Sequence, residues 1–399
     1  MQLVEQHVIT KKHPQFAAVD QAAFAAKNLY NAANYLVRQS FISGAGYLNY
    51  IDTYHLMKGH EAYQALPRKV SIQVLRMLDQ NWKSFFAAMK SYGQNPEKFT
   101  GRPRLPRYLH KTEGRFVLVY TNQAISHRAL KQGEIAPSGL ELRVTTKQTR
   151  INQVRIVPRG SFYVVEVVYT KDVAPAAVDP ALVAGIDVGL NNLAAITSNK
   201  PGFVPVLVNG RPAKHINQGY NKRIAQLQAK LGKPGRTKRM ERLTLRRTRQ
   251  IMHYLHTHSR RIIDLLVREG IGTLVIGKNV GWKQEINLGA RTNQNFVQIP
   301  HAWFIEMLTY KAELVGIQVI LTEESHTSKC SFLDDEPVRH HEQYAGKRIK
   351  RGLFRAADGR LINADVNGAY NIIRKAIPNA FGNGKVGVGV HPVGRAPTN

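Results

Sequence analysis

Two periods of hydrophobic spacing divide the first half of the chain. Residues 1–10 alternate weakly between apolar and polar and predict one strand. From about 17 to 93 the spacing lengthens to three and four. Phe24, Leu29, Ala32, Tyr35 and Leu36 mark one apolar stripe, and Val70, Val74, Met77, Leu78, Trp82 and Phe85 another. Both predict amphipathic helices. The stretch NPEKFTGRPRLPRYLHKTEG (95–114) is rich in Pro, Gly and basic residues and predicts a loop. Between 115 and 173 the period drops to two. RFVLVY, LELRVTT, QVRIVPRG and SFYVVEVVYT are short, β-branched and aromatic, and predict antiparallel strands of a barrel or sandwich.

After a boundary at AVDPA (177–181), strands and helices alternate. VAGIDVGL (183–190) predicts a buried strand, with NLAAITS and VPVLVNG as hairpin strands beside it. A helical region runs from about 213 to 268, broken near GKPGRT (232–237). TLVIG (273–277) predicts a strand, 301–315 a helix, GIQVILTE (316–323) a strand, and 364–376 a final helix after a polar insertion. That order predicts an α/β domain with a mixed sheet.

Charge changes the picture. Lys and Arg number 57 against 27 Asp and Glu, a net +30. Such a surface repels itself unless a polyanion neutralises it, and nucleic acid is the obvious one. Hydrophobic content of 43% excludes a disordered basic tail. The basic residues interleave with Tyr, Phe and Trp, there is no apolar run of ~20 residues, and MQLVEQHVIT lacks the pattern of a secretory leader. The expectation is a cytoplasmic protein with no membrane partner. One cysteine, Cys330, excludes disulfides within the chain and a thiolate-rich zinc ribbon. Between Lys222 and Arg261 stand thirteen Lys and Arg and a single acid, Glu241. A solvated helix face mixes signs to gain i,i+4 pairs, so Arg236, Lys238, Arg239, Arg242, Arg246 and Arg247 are expected on nucleic-acid phosphates.

Acids are scarce, so their positions inform. Asp187 interrupts the apolar strand VAGIDVGL, where a carboxylate is costly unless paired or metal-bound. Asp365 opens the helix of INADVNGAYNIIRKAI, where a cap would explain it equally well. Taken together, GIDVGLNNLAAIT and INADVNGAYNIIRKA resemble the first and third motifs of a RuvC-like nuclease domain. The resemblance is to the TnpB family of IS200/IS605-type insertion sequences, relatives of type V CRISPR effectors. NQNFVQIP (293–300), HTSKCSFLD (326–334) and GKRIKRGLF (346–354) resemble further segments of that family.

The resemblance implies a multidomain α+β and α/β protein. A wedge-like N-terminal β-barrel would occupy 1–14 and 115–178, with a helical recognition domain, 15–114, inserted. An RNase H-like RuvC nuclease domain would follow at 179–324 and 363–380. A degenerate target-nucleic-acid-binding insertion, without zinc, would span 325–362, and 381–399 would be a disordered tail. It also implies an RNA-guided DNA endonuclease using Mg²⁺ or Mn²⁺, a guide RNA from the transposon end, and a double-stranded target beside a short transposon-associated motif. Tyr50, Lys69, Gln73, Thr121 and Asn122 match positions that read this motif.

The chain departs from the family where TLVIG should end in the middle catalytic Glu, a place held here by Gly277. Either the protein is a nuclease-dead, RNA-guided DNA-binding repressor or accessory factor, or another acid serves. The strand 316–323 lies beside TLVIG in such a sheet, and its tip carries Glu323 and Glu324. Glu324, nearer the tip, is the expected third carboxylate and metal ligand with Asp187 and Asp365. Glu323 and Glu285 are the alternatives.

Overall fold

The computed structural model describes residues 1–278, 299–382, 384 and 387–395. The chain divides into two compact units, Met1–Lys171 and Asp172–Asn399.

In the first unit, β1 (Gln2–Thr10), β5 (Ile151–Arg159), β6 (Phe162–Thr170) and β2 (Leu118–Thr121) form an antiparallel sheet ordered β1-β6-β5-β2. LELRVTT contributes only Val144–Thr145 (β4), paired with Glu134–Ile135 (β3) as a separate ribbon. The barrel expected from the sequence is thus a four-stranded sheet plus a small ribbon, with β1 and β2 as its outer strands. Leu142 and Val144 are buried in the core, so these residues pack without pairing into the main sheet.

The helices of this unit are α1 (Phe16–Ile42), α2 (Tyr50–Met57), α3 (Glu61–Gln64), α4 (Arg68–Gln94) and α5 (His127–Lys131). On α4 the expected stripe is inside: Val70, Val74, Leu78 and Trp82 are buried. On α1 the stripe is rotated. Val19, Ala23, Ala26, Ala33 and Val37 are buried, while Tyr35 is 53% exposed. Small alanines let α1 pack closely, and the bulkier aromatic is left outside.

In the second unit, β7 (Asp179–Asp187), β8 (Asn192–Ser198) and β9 (Val206–Asn209) form an antiparallel meander. β10 (Ile271–Gly277) joins β7 in parallel, and β11 (Gln318–Thr322) joins β10 in parallel. All seven residues of β10 are buried, as for a strand covered on both faces. The sheet gains a sixth strand from Val393–Arg395 (β15), parallel to β9. The tail expected to be disordered therefore supplies a sheet edge at 393–395. Around the sheet lie α6 (Arg211–Leu231), α7 (Lys238–Arg268), α8 (His301–Glu313) and α9 (Ala364–Ala376). β12 (Lys347–Lys350), β13 (Leu353–Arg355) and β14 (Leu361–Asn363) form a small antiparallel sheet leading into α9.

Candidate metal centre and nucleic-acid interfaces

The parallel strands end level with one another. Ile186 pairs with Ile276 and Gly277 with Thr322, so Asp187, Gly277 and Thr322 stand side by side at the carboxyl edge. In open α/β sheets ligands bind at that edge. Lys278, the next residue, is exposed and donates its N–H to Thr322 O at 2.8 Å, extending the ladder.

Gly277 leaves space that Glu324 fills. A Cβ built on Gly277 would overlap the Glu324 side chain, lying 2.5 Å from its Cγ and 2.8 Å from its Cδ. The Glu324 carboxyl therefore sits over the end of β10, at the place where the sequence resemblance leads one to expect an acid and Gly277 stands instead. Burial pushes its pKa up to about 8, with the neighbouring Asp187 and Glu323 charges acting in the same direction. Asp187 is raised to about 7, first by burial and then by the Asp365 charge; Arg348 opposes this. Asp187 thus couples electrostatically to both other acids.

Asp365 comes from the first turn of α9. Its backbone N–H is capped by Asn363 Oδ1 at 3.0 Å, so the capping role belongs to Asn363 and the Asp365 carboxylate is available for other contacts. Asn192 Nδ2 donates to Asp365 Oδ2 at 2.6 Å, and Arg348 lies 3.6 Å from its other oxygen. Gly368, one turn along α9, brings the helix against Asp187: a Cβ there would stand 2.8 Å from Asp187 Oδ2.

Glu323 is held elsewhere. It is exposed, accepts from Lys375 Nζ at 2.5 Å and from Ser325 N at 2.7 Å, and these contacts hold its pKa down to about 2. Glu285 lies outside the described residues.

Asp187 and Asp365 line a cavity of about 390 Å³ together with Asn191, Asn192, Arg211, Arg348 and Arg351. Asn191, with its amide oxygen turned to Arg351, accepts from that guanidinium at 2.7 and 3.1 Å. Composition alone did not single out Arg211, Arg348 and Arg351 among so many cations. The donor set is oxygen-only and suits a hard divalent ion such as Mg²⁺. Mutual repulsion and burial of the acids are what such a cation would relieve. Among the described residues, however, no three His, Cys, Asp or Glu side chains are gathered into a ready-made ligand cluster. Asp365 is engaged instead by Asn192, with Arg348 close by.

In the first unit, Lys69, Gln73, Thr121 and Asn122 line one hollow of about 460 Å³, with Arg76, Gln123 and Asn152. Lys69 Nζ donates to Gln123 O at 2.9 Å, and Asn122 Nδ2 to Ile151 O at 2.7 Å. Tyr50 does not line this hollow, but its ring lies 5.2 Å from the Arg76 guanidinium. Arg76 continues the face of Lys69 and Gln73 at helical spacing, the signal by which it could have been found.

On the α6–α7 pair, Arg236, Lys238, Arg239, Arg242 and Arg246 are exposed. Arg247 differs: its Nε donates to Asn217 Oδ1 at 2.7 Å and its guanidinium covers the Tyr220 ring. It packs α7 on α6, a correction to its expected place on the phosphate-facing surface.

Residues 165–283 match the family OrfB_IS605, described as a probable transposase, and residues 301–372 match the TNB domain of Cas12f1-like proteins. Over 390 residues the chain is 24% identical to TnpB-like protein ORF457 of Acidianus two-tailed virus, covering 88% of this chain and 81% of that one. These matches are to the TnpB (OrfB) family. The TnpB relationship extends to type V CRISPR effectors. The CRISPR-associated endodeoxyribonuclease Cas12f1 of Sulfoacidibacillus thermotolerans is 33% identical over 129 residues, 31% of this chain and 26% of that protein. The fold is similar to that of Cas12f1 in a Cas12f1-sgRNA-target DNA complex, with a TM-score of 0.54 at 15% identity, covering 88% of this chain and 81% of that one. Among the described residues, no helix is long and apolar enough to cross a membrane.

Proposed function

We propose that this TnpB-like protein is an RNA-guided DNA endonuclease that cuts double-stranded DNA by metal-dependent hydrolysis, with Asp187, Glu324 and Asp365 as its carboxylates. The observation that carries this reading is the exchange at the sheet edge: the family's Glu is absent at Gly277, and the Glu324 side chain occupies the volume so freed. A discarded nuclease site would have no reason to keep Asp187 and Glu324 side by side where burial and mutual repulsion disfavour their charged forms. Mg²⁺, held by these residues, would supply an activated water and a counter-charge for the phosphate. Asn192 orients the Asp365 carboxylate. Arg211, Arg348 and Arg351 line the same cavity and would neutralise the entering phosphodiester.

The partners under this reading are a guide RNA from the transposon end and a duplex target. The hollow of Lys69, Gln73, Thr121 and Asn122 would face the short motif beside the target, Gln suited to adenine and Lys to guanine. Tyr50 would act there through Arg76.

A plasmid bearing the matching target, incubated with the protein, its RNA and Mg²⁺, tests the proposal. Linearised product from the wild type, and about 10³-fold less from Asp187→Ala, Asp365→Ala or Glu324→Gln, is the expected result. A second reading, guided binding without cleavage, draws on the absence of a ready-made ligand cluster and on Arg348 beside Asp365. Target binding with no cut in Mg²⁺ or Mn²⁺ would establish that alternative.

A further inference from the structure

Helix α9 carries more toward the sheet edge than Asp365. Asn367 and Asn371, one turn apart, are both 0% exposed. They lie against the turn that runs on from Glu324. Asn367 Oδ1 accepts from Phe332 N at 2.9 Å, and its Nδ2 donates to Cys330 O at 2.9 Å. Asn371 Nδ2 donates to Thr327 O at 2.9 Å and to Cys330 O at 2.7 Å. Thr327 reaches back in turn: its N–H donates to Glu324 O at 3.2 Å and its Oγ1 at 2.8 Å. Buried Glu336 also holds the turn, accepting from Ser331 N at 2.6 Å and Ala345 N at 2.9 Å.

A buried amide that loses its partners costs on the order of 1–3 kcal/mol, so these contacts strongly favour one register between helix and turn. The turn contains only one thiol, Cys330, and buried amides and a carboxylate hold it in place.

We infer that Asn367 and Asn371 are positioning residues for the carboxylate set. They tie the main chain at Glu324 to the same helix that carries Asp365. The two acids coupled to Asp187 are thereby held by one rigid element. The inference rests on the reading of Glu324 as the third carboxylate. It assigns these asparagines an influence on metal affinity, beyond their part in folding.

The test is Mn²⁺ binding to the full-length chain freed of nucleic acid, followed by the electron paramagnetic resonance of free Mn²⁺, with thermal unfolding measured in parallel. Asn367→Ala and Asn371→Ala should each weaken Mn²⁺ about tenfold, the usual effect of losing a support behind the ligands. A lowered melting temperature with wild-type Mn²⁺ affinity would make the asparagines purely structural and overturn the inference. Should either variant fail to fold, Thr327→Val removes only the Oγ1 bond onto Glu324 O. It should weaken Mn²⁺ about twofold to threefold, and wild-type affinity would again overturn the inference. Glu324→Gln separates the two readings. If it binds Mn²⁺ like the wild type, the Glu324 assignment falls and the positioning role with it, as both do if the wild type takes up no Mn²⁺. If it binds weakly while the asparagine variants bind normally, only the positioning role falls.

Discussion

Two adjacent glutamates meet opposite environments within one residue of each other. Glu323 is exposed and ionised against Lys375, while Glu324 is half-buried beside Asp187 and raised to about 8. Replacing Glu323 by Gln should cost a surface ion pair, worth about 0–1 kcal/mol, and leave cleavage near wild type. A cleavage loss in Glu323→Gln matching that of Glu324→Gln would show the two roles reversed. The raised pKa values of Asp187 and Glu324 also make stability depend on pH. Between the ordinary carboxylate range and about 8, the folded metal-free chain holds protons that the unfolded chain has released. Stability therefore falls as pH rises through that window. His258, lowered to about 4, is neutral in both states above about 6.5, and Lys311, lowered to about 8, acts mainly above that pH. Between pH 6.5 and 8 the melting temperature should fall in the metal-free wild type and fall less in Glu324→Gln. Equal slopes in a differential scan would count against a raised Glu324. Metal binding requires the ionised acids, so Mg²⁺ should restore most of the lost stability at the upper end.

At the scale of elements, the β11 strand tip works because its neighbour β10 ends in glycine. Gly277→Ala would place a methyl where the Glu324 side chain runs. It should displace that carboxyl and reduce cleavage toward the level of Glu324→Gln, at a stability cost of about 1–3 kcal/mol for overpacking. Full activity in Gly277→Ala would show that the Glu324 carboxyl need not occupy this space. The same strand end shows how far sequence carries. The order of strands and helices in the second unit was legible, because buried parallel strands read as unbroken apolar runs and α6 and α7 as long basic amphipathic stretches. The missing acid at 277 was visible too. The clearance between Gly277 and Glu324 was not, since it depends on the register of β10 and β11. On α1 the error has a different cause. Lys27 and Asn34 lie on its buried face, yet they read as solvent positions. They are inside because they hold an extended strap: Lys27 Nζ donates to Lys111 O at 2.6 Å, and Asn34 Nδ2 to Pro106 O at 3.1 Å. A partner 72 or 84 residues away leaves no trace in local periodicity. β15 was missed for a similar reason: three residues pairing with β9 make no pattern of their own.

For the whole molecule the governing number is the net charge of +30. Its cations outnumber their acidic partners: on α7 Arg260 pairs with Asp264 and Arg268 with Glu269, while Arg236, just before the helix, and Lys238, Arg239, Arg242 and Arg246 on its first turns stand exposed. In the first unit the strap presents Arg102, Arg104 and Arg107 to solvent. A surface of this kind should bind RNA firmly enough to co-purify from cells that express the transposon end. Bare-protein absorbance after purification, with no 260 nm excess, would refute that. Affinity should also fall steeply with salt, because each neutralised phosphate releases about 0.9 counterion on duplex DNA and about 0.7 on a single strand. Exchanging Arg236, Lys238, Arg239, Arg242 and Arg246 together for Gln should flatten the log–log salt slope by up to about 3.5 on single-stranded RNA, if all five touch phosphate. The folded state should survive, since exposed substitutions usually move stability by no more than about 0.5 kcal/mol each. Arg247→Gln is the contrasting case. It breaks the bond to Asn217 and uncovers Tyr220, so it should lower the melting temperature and leave the slope nearly unchanged. A flattened slope in Arg247→Gln with an unaltered slope in the fivefold variant would place the phosphate surface inside the helix pair, against the exposure of these side chains.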